Sequence, residues 1–250
     1  MASILNKILG RFGYQLIPAD KNNELPTDFD HIHQSIWKKV HPFTMTSPER
    51  IYSLIESVRY TERAFIEGDI VECGVWKGGS MMAIIQTLLL KNNQDRNLYL
   101  YDTYEGMSEP SEHDVDFSAQ AASAQLSERT RDEKDVIWAY SPLEAVQQNI
   151  YSTGYPKEKI HFIKGKVEDT IPKTIPEKIS LLRLDTDWYE STRHELIHLF
   201  PLLSKGGVLI IDDYGHWAGA RKAVDEFFEQ QQLSGMLHRI DNTGRIYIKQ

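Results

Sequence analysis

Four aspartates follow two apolar segments in the second half of the chain. Asp185 and Asp187 end the segment LLRLDTD, and Asp212 and Asp213 end the segment VLIIDD. The carboxyl ends of parallel strands lie at one edge of a sheet, so we expect these carboxylates to lie close together. Carboxylate oxygens are ligands that Mg²⁺ prefers, and a dication relieves their mutual repulsion. The pattern predicts a magnesium site; the alternative is ordinary capping of strand ends by aspartate.

A glycine-rich segment, ECGVWKGGS, runs from Glu72 to Ser80. Such a turn between a strand and a helix lets a ligand approach the backbone closely, and the helix N-terminus adds free N–H groups. The spacing lacks the G-x-G-x-x-G of dinucleotide sites, and Ser80 stands where a phosphate-binding loop needs lysine. The remaining pattern, acid-x-Gly-x-x-x-Gly, is typical of S-adenosylmethionine sites. A purely structural turn is the alternative.

Two further acids follow predicted strands. Asp102 lies 28 positions after Gly74, at the end of LYLYD. A carboxylate there can accept hydrogen bonds from both hydroxyls of a ribose, as in nucleotide-binding α/β folds. Glu168 follows the third strand, where it would lie near an adenine or cap a short helix.

The segment His194-Glu195-Leu196-Ile197-His198 matches H-E-x-x-H, the zinc-protease signature. It falls within a helix that connects two strands of the predicted sheet, and its apolar residues form a stripe that would pack on that sheet. We therefore interpret the two histidines as surface or cap residues. A zinc peptidase remains the alternative for this motif.

The pattern of the whole chain is one of alternating strands and helices. We predict strands at 69–73, 97–102, 161–164, 179–185 and 208–211, and helices at about 47–65, 79–91, 142–152, 190–203 and 217–231. A short turn or helix is expected at 168–173, and a final hairpin of strands near 237–241 and 245–249. The alternation predicts an α/β fold with helices on both faces of a mostly parallel, seven-stranded sheet and an antiparallel terminal strand. This is the Rossmann-like outline of a class I methyltransferase. We expect one domain with an N-terminal helical extension (about 1–66), in which 21–45 form a loop, and a mobile lid (about 104–135).

Charge and composition exclude several classes. Lys and Arg sum to 28 and Asp and Glu to 36, and the net charge of −8 argues against a nucleic-acid partner. The single cysteine, Cys73, excludes an intrachain disulfide and a multi-cysteine zinc cluster, and predicts a cytoplasmic protein. No segment reaches the ~18 apolar residues that span a bilayer.

The N-terminus carries an apolar stripe at helical spacing. Its members are Ile4, Leu5, Ile8, Leu9 and Phe12. Three interpretations stay open: packing on the protein's own core, a subunit contact in a homo-oligomer, and contact with a membrane surface.

Several motifs in order resemble the TylF-type macrocin O-methyltransferases. They are TMTSPER at residues 44–50, VECGVWKGGS, YDTYEGM, LLRLDTDWYEST, GGVLIIDDYG, and RKAVD at residues 221–225. The resemblance covers about residues 40–230. It implies an S-adenosylmethionine- and Mg²⁺-dependent enzyme that methylates hydroxyls of sugars in natural-product pathways, with a small sugar-type acceptor.

The resemblance also implies roles for individual residues. The methionine part of S-adenosylmethionine would be held by Glu72, Gly74, Gly78 and Ser80, the ribose by Asp102 with Thr103 beside it, and Thr46 would lie near the same cofactor. Asp185, Asp212 and Asp213 would bind Mg²⁺. A sugar hydroxyl is a poor nucleophile, so a metal and a base must activate it. Because Asp185 would be occupied by the metal, Asp187 is our first choice for the base and His216 the second.

Other functions remain as alternatives. A catechol-type O-methyltransferase would use the same metal chemistry on a phenol. A non-catalytic protein that binds the cofactor would not need Asp185, Asp212 and Asp213. An NAD-dependent oxidoreductase would need the dinucleotide motif that the chain lacks.

Overall fold

A twisted sheet of seven strands forms the centre of the computed structural model, which describes residues 25–132, 135 and 137–250. The strands are β1 (Asp69–Cys73), β2 (Leu98–Asp102), β3 (Ile160–Lys164), β4 (Ile179–Leu184), β5 (Leu203–Ile211), β6 (His238–Arg239) and β7 (Arg245–Ile248). Their order across the sheet is β3-β2-β1-β4-β5-β7-β6. The first five are parallel, and β7 runs antiparallel to both β5 and β6. The predicted fold class is confirmed.

Helices lie between the strands and cover both faces of the sheet. They are α1 (His31–Val40), α2 (Pro48–Arg63), α3 (Gly79–Leu90), α4 (Ala122–Ser127), α5 (Leu143–Tyr151), α6 (Val167–Thr170), α7 (Tyr189–Leu199) and α8 (Ala218–Gln230). Among these described residues, no helix is long and apolar enough to cross a membrane.

Burial on both faces explains why the strands are almost continuously apolar. Successive side chains of a strand point to opposite faces. Thus Ile70 belongs to the cluster with α2 and α3, whereas Val71 belongs to the cluster with α7 and α8. All six residues of β4 are buried, including the charged Arg183.

Helix α1 lies within residues 21–45, where we expected a loop, and that prediction was wrong. Asp30 caps the helix: its Oδ1 accepts hydrogen bonds from the backbone N–H of Ile32 (2.8 Å) and His33 (2.9 Å). Nδ1 of His33 accepts from the backbone N–H of Asp30 in return. Ile36 and Val40 anchor the helix in the core. Two features make this helix hard to predict from the sequence. The capping box has histidine in place of the usual glutamate, and the apolar stripe has only a few residues.

The described part of the insert at about 104–135 is tied to the body of the protein. Asp114 is buried, and its carboxylate accepts from the backbone N–H of Tyr189 (2.8 Å) at the start of α7 and of Ser111 (2.7 Å). Asp116 forms a backbone bridge with Trp217, next to α8. The insert therefore lies against the N-termini of two helices; that it acts as a lid stays a prediction. The apolar stripe of residues 4–12 lies outside the described residues.

Candidate active site

A cavity of about 290 Å³ opens at the carboxyl edge of the parallel strands, as the topology requires. Most of the predicted site residues line it. They are Thr46, Gly74, Ser80, Asp102, Thr103, Glu168, Asp185, Asp187, Asp212, Asp213 and His216. Two predicted residues lie outside this lining: Gly78 packs against Ile150 of α5, and Glu72 is buried beside Arg183.

The glycine-rich turn lies between β1 and the N-terminus of α3. Gly74 has a φ of +81°, and a Cβ there would overlap the carbonyl oxygen of Asp185, so the close approach of the β1 and β4 ends requires glycine. Ser80 lies in the first turn of α3, with the free N–H groups of that helix. Trp76 within the turn also has a positive φ, +48°.

Asp102 holds this turn in place. Its Oδ2 accepts from the backbone N–H of Val75 (2.7 Å) and Trp76 (3.0 Å), and its Oδ1 accepts from that of Tyr104 (2.7 Å). The carboxylate therefore joins the end of β2 to the glycine-rich turn. The sequence predicts a ribose contact for Asp102, and its pattern gives no sign of these three amide contacts.

The four aspartates converge at the ends of β4 and β5. One carboxylate oxygen from each of Asp185, Asp212 and Asp213 lies within 4.8 Å of the others, and no other such group of potential metal ligands occurs among the residues described. Burial and the neighbouring carboxylates raise the pKa of Asp185 to about 6, that of Asp187 to about 7 and that of Asp213 well above its ordinary value. The Oδ2 atom of Asp213 is buried without a hydrogen-bond partner.

Two arginines that sequence reasoning missed bind this acid cluster. The buried Arg183 donates to Glu72 Oε1, Asp185 Oδ2 and Asp212 Oδ1, each at 2.8 Å. Arg50, from α2, donates to Asp212 Oδ2 and lies 3.0 Å from Asp241 Oδ2. A charged residue in the middle of the buried segment ISLLRL is the sequence signal that could have revealed Arg183.

Asp187 is held apart from this arginine network. Its φ is +66°, in the left-handed region, and its Oδ1 accepts from the indole N–H of Trp217 at 2.8 Å. Trp217 packs edge-on against Trp188 with ring centroids 4.9 Å apart. His216 lies beside Trp217, and burial lowers the pKa of its imidazole, which favours the neutral form.

The H-E-x-x-H segment forms part of α7 and is used for packing. Glu195 is buried and accepts from the hydroxyl of Thr186 at 3.0 and 3.1 Å. His194 Nε2 lies 2.9 Å from the carbonyl oxygen of Ile171, and the rings of His194 and His198 lie 4.4 Å apart. Neither histidine joins a cluster of three potential metal ligands within the described chain.

The sheet order, the glycine-rich turn and the acidic strand ends define a Rossmann-like methyltransferase. The sequence matches the family described as Macrocin-O-methyltransferase (TylF) over residues 20–249. The chain belongs to this family of O-methyltransferases.

Relatives with known roles act on natural products. The chain is 33% identical, over 80% of its length and 73% of the relative's, to the 8-demethyl-8-(2,3-dimethoxy-alpha-L-rhamnosyl)-tetracenomycin-C 4'-O-methyltransferase of Streptomyces olivaceus. It is 30% identical, over 80% of its length and 76% of the relative's, to the mycinamicin III 3''-O-methyltransferase of Micromonospora griseorubida.

Solved structures show the same fold. The O-methyltransferase NovP is 28% identical and superposes with a TM-score of 0.72, covering 83% of this chain and 82% of NovP. A Bacillus cereus O-methyltransferase solved in complex with SAH is 12% identical with a TM-score of 0.52, covering all of both chains, and shares the fold.

Proposed function

We propose that this protein transfers a methyl group from S-adenosylmethionine to a sugar hydroxyl of a glycosylated natural product, with Mg²⁺ bound at the acid cluster. The observation that carries the proposal is the convergence of Asp185, Asp212 and Asp213 beside the glycine-rich turn in one cleft. The names of the relatives support the acceptor class, because one of them specifies a rhamnosyl compound.

The cleft residues suit the three parts of S-adenosylmethionine, which supplies the methyl group when bound. Thr46, Gly74 and Ser80 line the cleft with the acid cluster and would hold the methionine part. Asp102 and Thr103 would hold the ribose, and Glu168, beyond the end of β3, would lie near the adenine. Glu72 lies outside the cleft lining and would act on the methionine part through its buried carboxylate. Its Oε1 is bound by Arg183, and its buried Oε2 has no partner.

The acid cluster suits a divalent cation by charge and by donor set. Six carboxylates (Glu72, Asp185, Asp187, Asp212, Asp213 and Asp241) lie around two guanidinium groups (Arg50 and Arg183), an excess of four negative charges when all are ionised. Hard oxygen ligands of this kind hold Mg²⁺.

The freest ligands in the cluster are Asp213, with its unpartnered Oδ2, and Asp185, with one oxygen on Arg183. Asp212 already accepts from both arginines and would share an oxygen with the ion. Bound Mg²⁺ would lower the pKa of a coordinated hydroxyl and orient it.

A residue of the chain would then accept the proton of the sugar hydroxyl. Asp187 is the proposed base, because it lies beside the cluster yet makes no contact with either arginine that the structure records. The Trp217 indole N–H fixes one Asp187 oxygen and so aims the carboxylate. His216 is the second candidate, since a neutral imidazole can accept a proton. Orientation matters as much as basicity, because the methyl carbon and the attacking oxygen must lie in line.

Calorimetric titration with S-adenosylmethionine and, separately, with NAD tests the cofactor assignment, each with and without Mg²⁺. Saturable binding of S-adenosylmethionine alone is expected. Binding of NAD instead would refute the proposal.

Aspartate variants test the metal assignment. Asp185→Asn and Asp213→Asn are expected to remain folded, to lose most Mg²⁺ binding by titration, and to lose turnover. Asp95→Asn, which makes the same chemical change at an exposed turn before β2, is the matched control. Full turnover by folded Asp185→Asn and Asp213→Asn with Mg²⁺ present would contradict the metal role. Methylation of catechols in preference to glycosides would assign the phenolic class instead.

A further inference from the structure

Phe117 is an exposed aromatic residue at the edge of the proposed active site. Its side chain is 76% exposed, and its ring lies edge-on to His216 with centroids 5.3 Å apart. His216 in turn lies 4.8 Å from Trp217, whose indole binds Asp187. A row of three aromatic rings therefore leads from the proposed base out to Phe117.

Several hydrogen bonds hold the loop that presents Phe117. The Asp116 carboxylate accepts from Ser118 N (2.8 Å), Ser118 Oγ (2.8 Å), Gln120 N (2.9 Å) and Gln125 Nε2 (2.8 Å). The backbone of Asp116 also bridges to Trp217, and the carbonyl of Val115 accepts from Ala218 N at 2.9 Å. These contacts define the path of the loop, and along that path Phe117 is exposed to solvent.

The charges beside this row disfavour an acceptor with a diphosphate. Three cationic side chains of Lys and Arg line the cleft within the described part of the protein: Arg50, Arg183 and Lys166. Both arginines are bound by carboxylates, and Lys166 belongs to the segment after β3, two residues before Glu168. A pyrophosphate next to Phe117 would meet the Asp116 carboxylate, and neither cleft arginine is free of a carboxylate to balance it.

We propose that Phe117 is the contact surface for an apolar aglycone on the acceptor, and that it makes the enzyme select glycosides over nucleotide-diphosphate sugars. A sugar hydroxyl at Asp187 would leave the sugar ring beside His216 and its glycosidic substituent at Phe117. The inference rests on the proposed function and adds to it a residue that determines acceptor specificity.

Binding of three rhamnose probes tests this inference: 4-nitrophenyl α-L-rhamnoside, methyl α-L-rhamnoside and dTDP-L-rhamnose. Affinities are measured by saturation-transfer NMR in the presence of SAH and Mg²⁺, so no turnover is needed. We expect the aryl glycoside to bind roughly three- to tenfold more tightly than the methyl glycoside, the size of one aromatic contact. The nucleotide sugar should bind more weakly than the aryl glycoside.

Substitutions at Phe117 test whether this residue causes the preference for the aryl glycoside. Phe117→Ala should abolish the preference for the aryl glycoside and leave SAH affinity unchanged, and Phe117→Trp should keep it. Phe65→Ala is the matched control, since Phe65 is 88% exposed and lies just before β1, at the opposite edge of the sheet.

Three results would overturn the inference while SAH still binds: equal affinities for the two glycosides in the wild type, tighter binding of dTDP-L-rhamnose, or an unchanged preference in Phe117→Ala. A change of molecular mass in solution on Phe117→Ala, with the preference intact, would assign Phe117 to a subunit contact instead. Failure of SAH to bind would refute the proposed function itself.

Discussion

Replacing Asp102 should reveal two separable roles of one carboxylate. In the structure, Asp102 accepts three backbone N–H groups from residues 75, 76 and 104. In the proposed function, it also binds a ribose. A variant that removes the carboxylate should therefore lose stability as well as cofactor affinity, whereas a ribose ligand alone would affect only affinity.

The size of the stability loss follows from the three amides. A hydrogen bond to a charged acceptor contributes about 1.5–3 kcal/mol, and a buried donor left without a partner costs ~1–3 kcal/mol. Because Asp102 borders the cleft, water can reach some of these amides, so the lower values apply. We expect Asp102→Ala to lower the free energy of unfolding by about 3–5 kcal/mol.

Asparagine provides the graded comparison. Its single carbonyl oxygen can keep the bonds to Val75 and Trp76, but its NH₂ group then faces the Tyr104 amide. Asp102→Asn should therefore cost about 1–2 kcal/mol of stability, less than alanine. Freed from Asp102, Trp76 would also lose the restraint on its left-handed backbone, at φ +48°.

Urea unfolding and calorimetry with SAH measure the two roles on the same samples. We expect the urea midpoints to fall in the order wild type, Asp102→Asn, Asp102→Ala, with unchanged m-values. SAH affinity should fall about tenfold or more in both variants, as loss of one charged hydrogen bond predicts. An alanine variant with the wild-type urea midpoint would refute the reasoning about the turn, whatever its affinity.

Three further predictions follow from the same contacts. Arg183→Met should lower the free energy of unfolding, measured in urea at pH 8, by about 3–5 kcal/mol, because buried carboxylates lose their partner. The loss should be smaller at pH 5.5, where those carboxylates can take up protons. An unchanged urea midpoint at pH 8 would contradict this prediction. Gly219→Ala should lower the free energy of unfolding by ~1–3 kcal/mol in thermal unfolding, because the alanine Cβ would overlap the Asp114 carboxylate. It should also make residues 104–135 more sensitive to protease. Unchanged melting and proteolysis would contradict the role of Asp114 in holding the insert. Burial raises the pKa of Asp187 to about 7, and a general base must be ionised. The pH profile of kcat/KM should therefore rise through a limb at or below about 7, and Asp187→Asn should abolish that limb. A limb that persists in the variant would exclude Asp187 as the base.

The sheet was predictable because the strands repeat a simple pattern. Segments such as ISLLRL and VLII are apolar because both faces of the sheet are covered, and glycine-rich or polar turns bound them. Helix α1 was not predictable in the same way. Its stability comes from contacts made after folding, with Ile36 and Val40 against the core and an unusual histidine in the capping box.

The convergence of Asp185, Asp212 and Asp213 was predictable from topology alone, since the ends of neighbouring parallel strands share one edge. The contacts of Asp102 were not. They depend on the path of the glycine-rich turn, which turns its backbone N–H groups toward β2. Likewise, Arg50 reaches Asp212 from a helix outside the sheet, and no spacing in the sequence relates the two residues.

Arg183 explains how the acid cluster can exist before any cation binds. Carboxylates from β1, β4 and β5 would repel one another in the low dielectric of the buried floor. The single guanidinium group of Arg183 meets one oxygen from each of Glu72, Asp185 and Asp212. It fixes these acids, but it does not reach Asp213, whose buried Oδ2 has no partner, and it does not neutralise the whole cluster. Burial is the main cause of the raised pKa values of Asp185 and Asp213, and the neighbouring carboxylates add to it. A dication at the cluster would offset that negative charge. Arg183 thus accounts for the order of the site, and the negative charge that it leaves unbalanced is the charge that the proposed Mg²⁺ would balance.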